Sequence, residues 1–374
     1  MALLLPLALA CAPQIVATEA PDWDAVFDRT SGWTGADGIY SIPLNGSERP
    51  GGSRSGAHLF VFSDTFIGDV NAQGQRQAGT TLVNNTLGYL PAGAGPDPLA
   101  IQFWWSQSAG NPAAAFRPST PSTQPDEFYW MKDGIAIGDT VHLLAARFSF
   151  DPPPFSRKGV ALISIQQPSL PPFQNQVQVE APLYLPESAT RAEITFGGAI
   201  LDNSTAAEAP FPDEYVYVYG VEETPLNKKA LVARVPRVDF TNFAAWTYWD
   251  GATWNADIAT SQSIAGRVST EMSVTPLPDG RFLMVFMLDT IGGKIAVRVG
   301  DRPEGPWGPY QEIYTCPIPN QPPGIFTYHA KAHPSLSDPG TLLVSYNVNT
   351  TGPFQDHFRF ADIYRPRLIR LSLP

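Results

Sequence analysis

Two aspartates near the start of the chain stand where a hydrolytic enzyme would place a pair of carboxylates. Asp37 lies in the segment 33–40 (WTGADGIY), and Asp64 directly follows the apolar run 59–63 (LFVFS). A carboxylate at the end of an apolar strand is costly unless it is hydrogen-bonded or used in chemistry. Cleavage of a glycosidic bond uses a pair of Asp or Glu side chains. The alternative is that both aspartates are turn-forming residues.

The sequence between the two aspartates predicts a β-hairpin that brings them together. Residues 39–44 and 59–63 have the apolar and aromatic composition of buried strands. The intervening residues 45–56 are rich in Gly, Ser and Pro, which is typical of a loop. If the two strands pair, Asp37 and Asp64 lie at neighbouring strand ends.

Two further residues have the chemistry of a catalytic or binding group. Glu271 lies in the segment 268–274 (VSTEMSV), between a hydroxyl-rich turn and an apolar strand. We expect it to be a third catalytic carboxylate; a rim residue that accepts hydrogen bonds from Ser and Thr is the alternative. His333 precedes Pro334 at the start of a predicted strand, and we expect it to bind a substrate hydroxyl or to fix a carboxylate. A hydrogen-bonded structural histidine is its alternative.

Aromatic and amide side chains supply the predicted substrate contacts. Trp33 lies close to Asp37 and is the leading candidate for a face that stacks on a sugar ring. Trp130 begins another strand unit and is expected to reach the same site. Asn85 and Asn347 are expected to bind sugar hydroxyls, and a turn or glycosylation-motif role is the alternative for both.

The composition restricts the class of partner. The chain has 374 residues, of which 43% are hydrophobic and 16% charged, and its net charge is -11. An acidic chain without a basic run is not suited to nucleic acid, whereas a neutral carbohydrate fits. The 31 glycines and 38 prolines disfavour long helices.

A recurring plan indicates an all-β fold, a five-bladed β-propeller formed as a single domain by residues 21–374. Five strand–turn–strand units are marked by the Asp37 and Asp64 pair, Trp130, Thr195, Glu271 and His333, at a spacing of ~60 to 75 residues when counted from Asp64. The innermost strand of each blade would direct the polar residues at its start toward one mouth of the central channel. The residues expected to converge there are Asp37, Asp64, Trp130, Asp133, Gly198, Glu271 and His333.

The first 20 residues predict export. Residues 2–10 are apolar but too short to span a bilayer, and they resemble the hydrophobic part of a secretory signal. Cys11 follows a lipoprotein-like cleavage box, and a simple signal peptide is the competing interpretation. We therefore expect a secreted or cell-surface protein, monomeric, whose only membrane contact is a lipid at Cys11. Cys316 is the one other cysteine, so no internal disulfide is expected.

Other chemistries find little support in the sequence. There is no phosphate-binding or dinucleotide glycine motif, no Gly-x-Ser-x-Gly and no cysteine cluster for zinc. His329 and His333 would ligate a metal only on a helix, so we expect no cofactor and no metal site of this kind. A calcium ion in the channel stays open as an alternative. A lyase or a phosphorylase ranks third, because Lys132, Lys331 and Arg298 are the only suitable cations.

Five segments together resemble a bacterial family of exported propellers long catalogued as domains of unknown function. They are residues 33–41, 59–66 (LFVFSDTF), 215–220 (YVYVYG), 302–307 (RPEGPW) and 333–336 (HPSL). One branch of this family is assigned as endo-D-arabinanases, glycoside hydrolases that act on mycobacterial-type arabinan. In that branch the catalytic carboxylates are the aspartates of the first two motifs, which match Asp37 and Asp64 here.

The chain departs from that branch at several motif positions. Ala36 stands where glycine is expected, Asn84-Asn85 stand where His-Asn is expected, and residues 47–54 lengthen the loop between the first two motifs. The resemblance implies an exported glycoside hydrolase that cleaves a furanosidic polysaccharide such as arabinan. We expect Asp37 and Asp64 to be the acid/base and nucleophile-or-base pair. A non-catalytic carbohydrate-binding or adhesion propeller, using the same channel mouth, is the alternative.

Overall fold

The computed structural model describes residues 15–52, 55–166, 173, 175–224, 227–318 and 322–373. Cys11 and most of the expected export signal lie outside these residues. Cys316 is described, and it is a buried free thiol. Among the described residues, no helix has both the length and the apolar character needed to cross a membrane.

The described chain is built mainly from β-strands. The strands are β1 Val16–Glu19, β2 Ser31–Ala36, β3 Tyr40–Pro43, β4 His58–Phe62, β5 Thr65–Asp69, β6 Thr81–Val83, β7 Thr86–Leu90, β8 Gln102–Trp104, β9 Ser106–Ser108, β10 Asn111–Ala113, β11 Phe128–Ile137, β12 Thr140–Ser149, β13 Ser156–Gln166, β14 Gln176–Ala181, β15 Tyr184–Leu185, β16 Ile194–Asn203, β17 Tyr215–Glu222, β18 Lys228–Pro236, β19 Thr247–Trp249, β20 Trp254–Asn255, β21 Ala265–Val268, β22 Met272–Pro276, β23 Phe282–Met287, β24 Lys294–Gly300, β25 Gln311–Thr315, β26 Ile325–His333, β27 Thr341–Thr350 and β28 Arg367–Ser372. The α-helices are α1 Pro21–Phe27 and α2 Asp356–Arg359, and single 3₁₀ turns are Arg237–Asp239, Phe243–Ala245, Ile258–Thr260 and Pro334–Leu336.

Five antiparallel sheets form the body of the protein. Their strand orders are β3-β4-β7-β8 in sheet 1, β11-β12-β13-β14 in sheet 2, β15 to β20 with β21 beside β18 in sheet 3, β22-β23-β24-β25 in sheet 4, and β26-β27-β28-β1 in sheet 5. Two small sheets have the strand orders β2-β5-β6 and β9-β10. Their strands are close in sequence to those of sheet 1. The predicted hairpin is confirmed, because β3 pairs with β4 from Tyr40↔Val61 to Pro43↔His58.

The first strands of the main sheets form a closed ring. Strand β3 contacts β11, β11 contacts β16, β16 contacts β22, β22 contacts β26, and β26 returns to β3. A ring of antiparallel sheets that meet at their inner strands is a β-propeller. The predicted all-β propeller is therefore confirmed. The ring is closed in sheet 5, where β1 pairs with β28 between Val16↔Ser372 and Glu19↔Ile369.

Apolar residues pack between neighbouring sheets rather than in one central core. In β23, Leu283 and Val285 belong to the cluster shared with sheet 5, whereas Met284 and Phe286 belong to the cluster shared with sheet 3. Successive side chains of a strand point to opposite faces of the sheet. A strand whose sheet lies between two neighbouring sheets must therefore be apolar on both faces. This explains the nearly continuous apolar runs in the sequence.

Three of the inner strands carry β-bulges. The pairing register shifts between Met131 and Gly134 in β11, between Phe196 and Ala199 in β16, and between Tyr328 and Lys331 in β26. A bulge inserts an extra residue and redirects the side chains beside it. In this ring the redirected residues include several that line the candidate site.

Candidate active site

A cavity of about 890 Å³ opens at the end of the ring where the inner strands begin. All five main sheets, with the turns that precede their strands, contribute to its lining. Four of the predicted site residues line it, namely Asp37, Asp64, Trp130 and Glu271. The sequence-based convergence of residues from three distant segments is therefore present in the structure.

The two aspartates are held together by their own backbones. The amide of Asp37 donates to the carbonyl of Asp64 at 3.2 Å, and the amide of Ser63 donates to the carbonyl of Asp37 at 2.8 Å. Gly38 makes this close approach feasible, since its φ is +61° and a Cβ there would lie 2.6 Å from Ser63 Oγ. The positions of the two carboxyl groups are thus set by the main chain.

Asp37 is stabilised as a carboxylate by two tyrosines. Its Oδ2 accepts hydrogen bonds from the hydroxyls of Tyr328 at 2.8 Å and Tyr364 at 2.9 Å, while its Oδ1 is buried without a partner. Burial raises the pKa of Asp37 to about 6, and the two hydroxyl donors limit that rise. Tyr364 has a φ of +75°, a conformation that costs energy in a non-glycine residue and often marks a functional site.

Asp64 has different donors and a higher pKa. Its Oδ1 accepts hydrogen bonds from Trp130 Nε1 at 2.8 Å and Asn84 Nδ2 at 3.3 Å. Burial and the charge of Asp37 raise the pKa of Asp64 to about 7. The residue is still partly exposed to the cavity. Two neighbouring carboxyls with different pKa values are the arrangement needed for a base and an acid.

Glu271 is the third predicted carboxyl that lines the cavity, and its pKa is also raised. Burial, together with the charge of Asp37, raises its pKa to about 8, although Lys331 and Lys132 oppose the rise. Its Oε1 lies 3.3 Å from His329 Nδ1, and its Oε2 is buried without a partner. Burial lowers the pKa of His329 to about 3, so this imidazole is neutral near pH 7.

One wall of the cavity is aromatic. The ring of Trp130 lies 4.4 Å from that of Phe148 and 4.9 Å from that of Phe155, measured between centroids. All three residues line the cavity, and Phe155 is 45% exposed. Flat apolar faces beside polar groups suit the binding of a sugar ring.

The structure places Trp33 and Asn85 away from the cavity, so both predicted contacts are wrong in position. Trp33 is buried and stacks on Phe103 at 4.5 Å. Asn85 is fully buried; its Nδ2 donates to the carbonyls of Phe116 and Tyr129, and its Oδ1 accepts from the Phe116 amide. The neighbour Asn84 is the amide that reaches a carboxylate. Adjacent residues of a strand end point to opposite sides, and the sequence did not reveal which side faces the cavity.

The placement of His333 at the mouth is also wrong. His333 is the last residue of β26, so it lies at the opposite end of the ring from the cavity. Its ring nitrogens are 2.8 Å from the hydroxyls of Ser41 and Ser345. Asn347 is buried behind the cavity wall, with its Nδ2 3.5 Å from His329 Nδ1. Residues Tyr328 and His329 of the same strand occupy the mouth instead.

The centre of the ring holds an ion pair. Asp133 Oδ2 accepts from Lys331 Nζ at 2.7 Å and from the Ile200 amide at 2.8 Å, and its Oδ1 accepts from the Gly134 amide. Asp133 is therefore satisfied within the channel rather than at the mouth. Among the described residues, no group of three or more His, Cys, Asp or Glu is arranged to hold a metal ion.

Comparisons with known proteins place the chain in a family and a fold. The crystal structure of a putative hydrolase from Bacteroides ovatus ATCC 8483 aligns over 98% of this chain and 93% of its own, with a TM-score of 0.73 and 18% identity. The GH43_1 enzyme from Xanthomonas citri complexed with xylose aligns over 93% and 92%, with a TM-score of 0.48 and 12% identity. No curated protein matches the chain. The family model described as a domain of unknown function, DUF5005, matches residues 21–373, and the chain therefore belongs to that family.

Proposed function

We propose that this protein is an exported, monomeric glycoside hydrolase that cleaves a furanosidic polysaccharide, with arabinan as the leading substrate. One observation carries the proposal. Asp37 and Asp64 share one cavity on a common backbone frame, and each is held by a different set of donors. Glycosidic cleavage needs two such carboxyls with separate protonation states.

The hydrogen-bond donors assign the roles. Asp37 accepts two hydroxyl hydrogen bonds that favour its ionised form, so it acts as the base or nucleophile. The charge of Asp37 raises the pKa of Asp64, so Asp64 is the general acid. Glu271 stays protonated near pH 7. A neutral Glu271 does not oppose the ionisation of Asp37, so it favours the assignment of Asp37 as the base and Asp64 as the acid.

The polar and apolar parts of a sugar would contact different parts of the cavity. Asp37 and Asp64 both line the cavity and are both partly exposed, so the scissile bond lies beside these two carboxyls. The wall formed by Trp130, Phe148 and Phe155 takes the apolar face of the sugar ring.

Two alternatives are less well supported. A non-catalytic binding propeller would not require three carboxyls whose burial makes ionisation costly. A phosphorylase would require a clamp of several free cations for phosphate, but Arg157 is paired with Glu193 and Glu223, and Lys228 with Glu223. Among the described residues, Lys132 is then the one Lys or Arg of the cavity lining without an ion pair. The hydrolase therefore accounts for more of the site.

The test is product release from a polysaccharide panel that includes D-arabinan and L-arabinan. We expect wild-type protein to release oligosaccharides, and Asp37→Asn or Asp64→Asn to reduce the rate by about 10² to 10⁴-fold. Asp69→Asn is the matched control, because Asp69 is an exposed aspartate at the end of β5. Unchanged release by both cavity variants would refute the hydrolase. Binding to one polymer without any release would favour the adhesion alternative.

A further inference from the structure

Lys132 is a buried cation in the wall of the cavity. It lies in the bulge of β11 between Met131 and Gly134, and only 5% of its surface is exposed. Its aliphatic stem passes over Gly197, where a Cβ would lie 3.0 Å from Lys132 Cδ. Gly197 has a φ of +101°, so both its conformation and its lack of a side chain make room for this lysine.

Lys132 differs from its charged neighbours in having no partner. Arg157 and Lys228 bind Glu223, and Lys331 binds Asp133. Among the described residues, Lys132 makes no hydrogen bond and no ion pair. An ammonium that is removed from water without a counter-ion is strongly disfavoured.

The charges that face Lys132 leave it without compensation. Burial lowers its pKa to about 7, the cations Arg157 and Lys228 act in the same direction, and Glu223 and Glu271 oppose them. Glu223 is already shared between two cations. Glu271 lies within ion-pairing distance of the neutral His329 and not of Lys132. Lys132 therefore has no ion-pair partner of its own among the described residues of the wall.

We propose that Lys132 binds an anionic group carried by the substrate, either the carboxylate of a uronic acid or a phosphate ester on the sugar next to the scissile bond. This inference rests on the proposed function, because it names the class of sugar bound in the same cavity. The aromatic wall of Trp130, Phe148 and Phe155 takes the ring, and Lys132 takes its anion. The net charge of -11 disfavours a densely charged polymer, so the anion is an isolated substituent.

The test measures binding without turnover. Isothermal titration calorimetry at pH 6 and constant ionic strength compares D-glucuronate, D-glucose 6-phosphate and D-glucose, using wild type, Lys132→Met and Lys132→Gln. We expect one anionic sugar to bind wild type more tightly than glucose, and both variants to bind it about tenfold more weakly. Preference for glucuronate identifies a carboxylate, and preference for glucose 6-phosphate identifies a phosphate ester.

Control variants separate this inference from the proposed function. Lys294→Met removes an exposed lysine that is paired with Glu312 and should bind every sugar like wild type. Asp37→Asn should retain the preference for the anionic sugar, because the substitution removes a proposed catalytic carboxylate and leaves Lys132 in place. The inference is overturned if neither anionic sugar binds more tightly than glucose, or if the preference survives in both Lys132 variants. Neither result bears on the proposed hydrolase activity, which the polysaccharide assay of Asp37→Asn and Asp64→Asn tests separately.

Discussion

The backbone amide of Asp37 donates a hydrogen bond to the backbone carbonyl of Asp64 at 3.2 Å. The two acids of the cavity therefore lie on one rigid frame, at the ends of segments that the chain brings together through a hairpin. Their side chains have separate donors, with tyrosine hydroxyls on Asp37 and an indole and an amide on Asp64. Substitution of a donor should change the pKa of one acid and leave the frame intact.

Removal of a tyrosine hydroxyl should raise the pKa of Asp37. Tyr328→Phe and Tyr364→Phe each remove one donor that favours the carboxylate. A hydrogen bond to a charged group is worth about 1.5–3 kcal/mol, which corresponds to about one to two pKa units. Because the base must be ionised, the acidic limb of the kcat/KM profile should move to higher pH by that amount.

The pH profile of a distant tyrosine variant provides the control for this prediction. The hydroxyl of Tyr129 donates to Gln178 and has no contact with the cavity acids, so Tyr129→Phe should leave the acidic limb in place. An acidic limb that moves to lower pH in Tyr328→Phe would show that Asp37 is not the base.

Trp130→Phe should extend activity to higher pH. The substitution keeps an aromatic ring against Phe148 but removes the indole donor that lowers the pKa of Asp64. The general acid must be protonated, so a higher pKa moves the alkaline limb of the kcat profile upward, by about one unit. Trp254→Phe, in the outer part of sheet 3, should behave like wild type. If the alkaline limb of the kcat profile does not move in Trp130→Phe, Asp64 is not the general acid.

The fold and the proximity of Asp37 and Asp64 are predictable because their signals are local. Turn residues and strand-like runs identified the units of the ring, and the hairpin between Asp37 and Asp64 needed only the pairing of two neighbouring strands. The partners of those acids come from far along the chain. Tyr364 is 327 residues from Asp37, and no periodicity in the sequence connects them.

The errors at Trp33 and His333 have different physical causes. Trp33 belongs to β2, whose register with β5 shifts between Trp33 and Ala36. Such a bulge changes which side of a strand a residue occupies, and a sequence pattern does not locate it. His333 is expected from the sequence at the start of a strand, but β26 begins eight residues earlier, at Ile325, so His333 lies at the other end of the strand.

His333 should therefore matter for stability and not for binding. His333→Ala removes a hydrogen-bond partner from the hydroxyls of Ser41 and Ser345 and opens a cavity, at a cost of about 3 kcal/mol in the free energy of unfolding. Urea denaturation should show this loss, while the KM of the folded protein for an accepted substrate should stay at the wild-type value. A raised KM with unchanged stability would restore the substrate-binding hypothesis.

Glu271→Gln should stabilise the protein, and more so at alkaline pH. Burial raises the folded-state pKa of Glu271 to about 8 from 4.5. Stability from such a group is fully present below the unfolded pKa and is lost as pH rises toward the folded pKa. Gln has no such dependence, so the Tm advantage of the variant should grow between pH 5 and pH 9, by about 2 °C or more. An equal Tm difference at both pH values would contradict the prediction.

Arg76 is expected to act on catalysis through the position of Tyr364. Its guanidinium is buried and donates to the carbonyls of His357, Ala361 and Ile363, which lead to that tyrosine. No carboxylate is among its hydrogen-bond partners in the described chain, so its role is to hold backbone.

Arg76→Lys keeps the charge but cannot reach all of these carbonyls, because an ammonium lacks the planar fork of a guanidinium. Tyr364 should then lose its hydrogen bond to Asp37, and the acidic limb of kcat/KM should rise as it does in Tyr364→Phe. Arg370→Lys, at an exposed pair with Asp22, should leave the profile unchanged. If Arg76→Lys lowers Tm while the profile stays in place, Arg76 stabilises the fold without setting the pKa of Asp37. A shift in the Arg76→Lys, Tyr364→Phe double variant no larger than in Tyr364→Phe alone would establish that both act through one hydrogen bond.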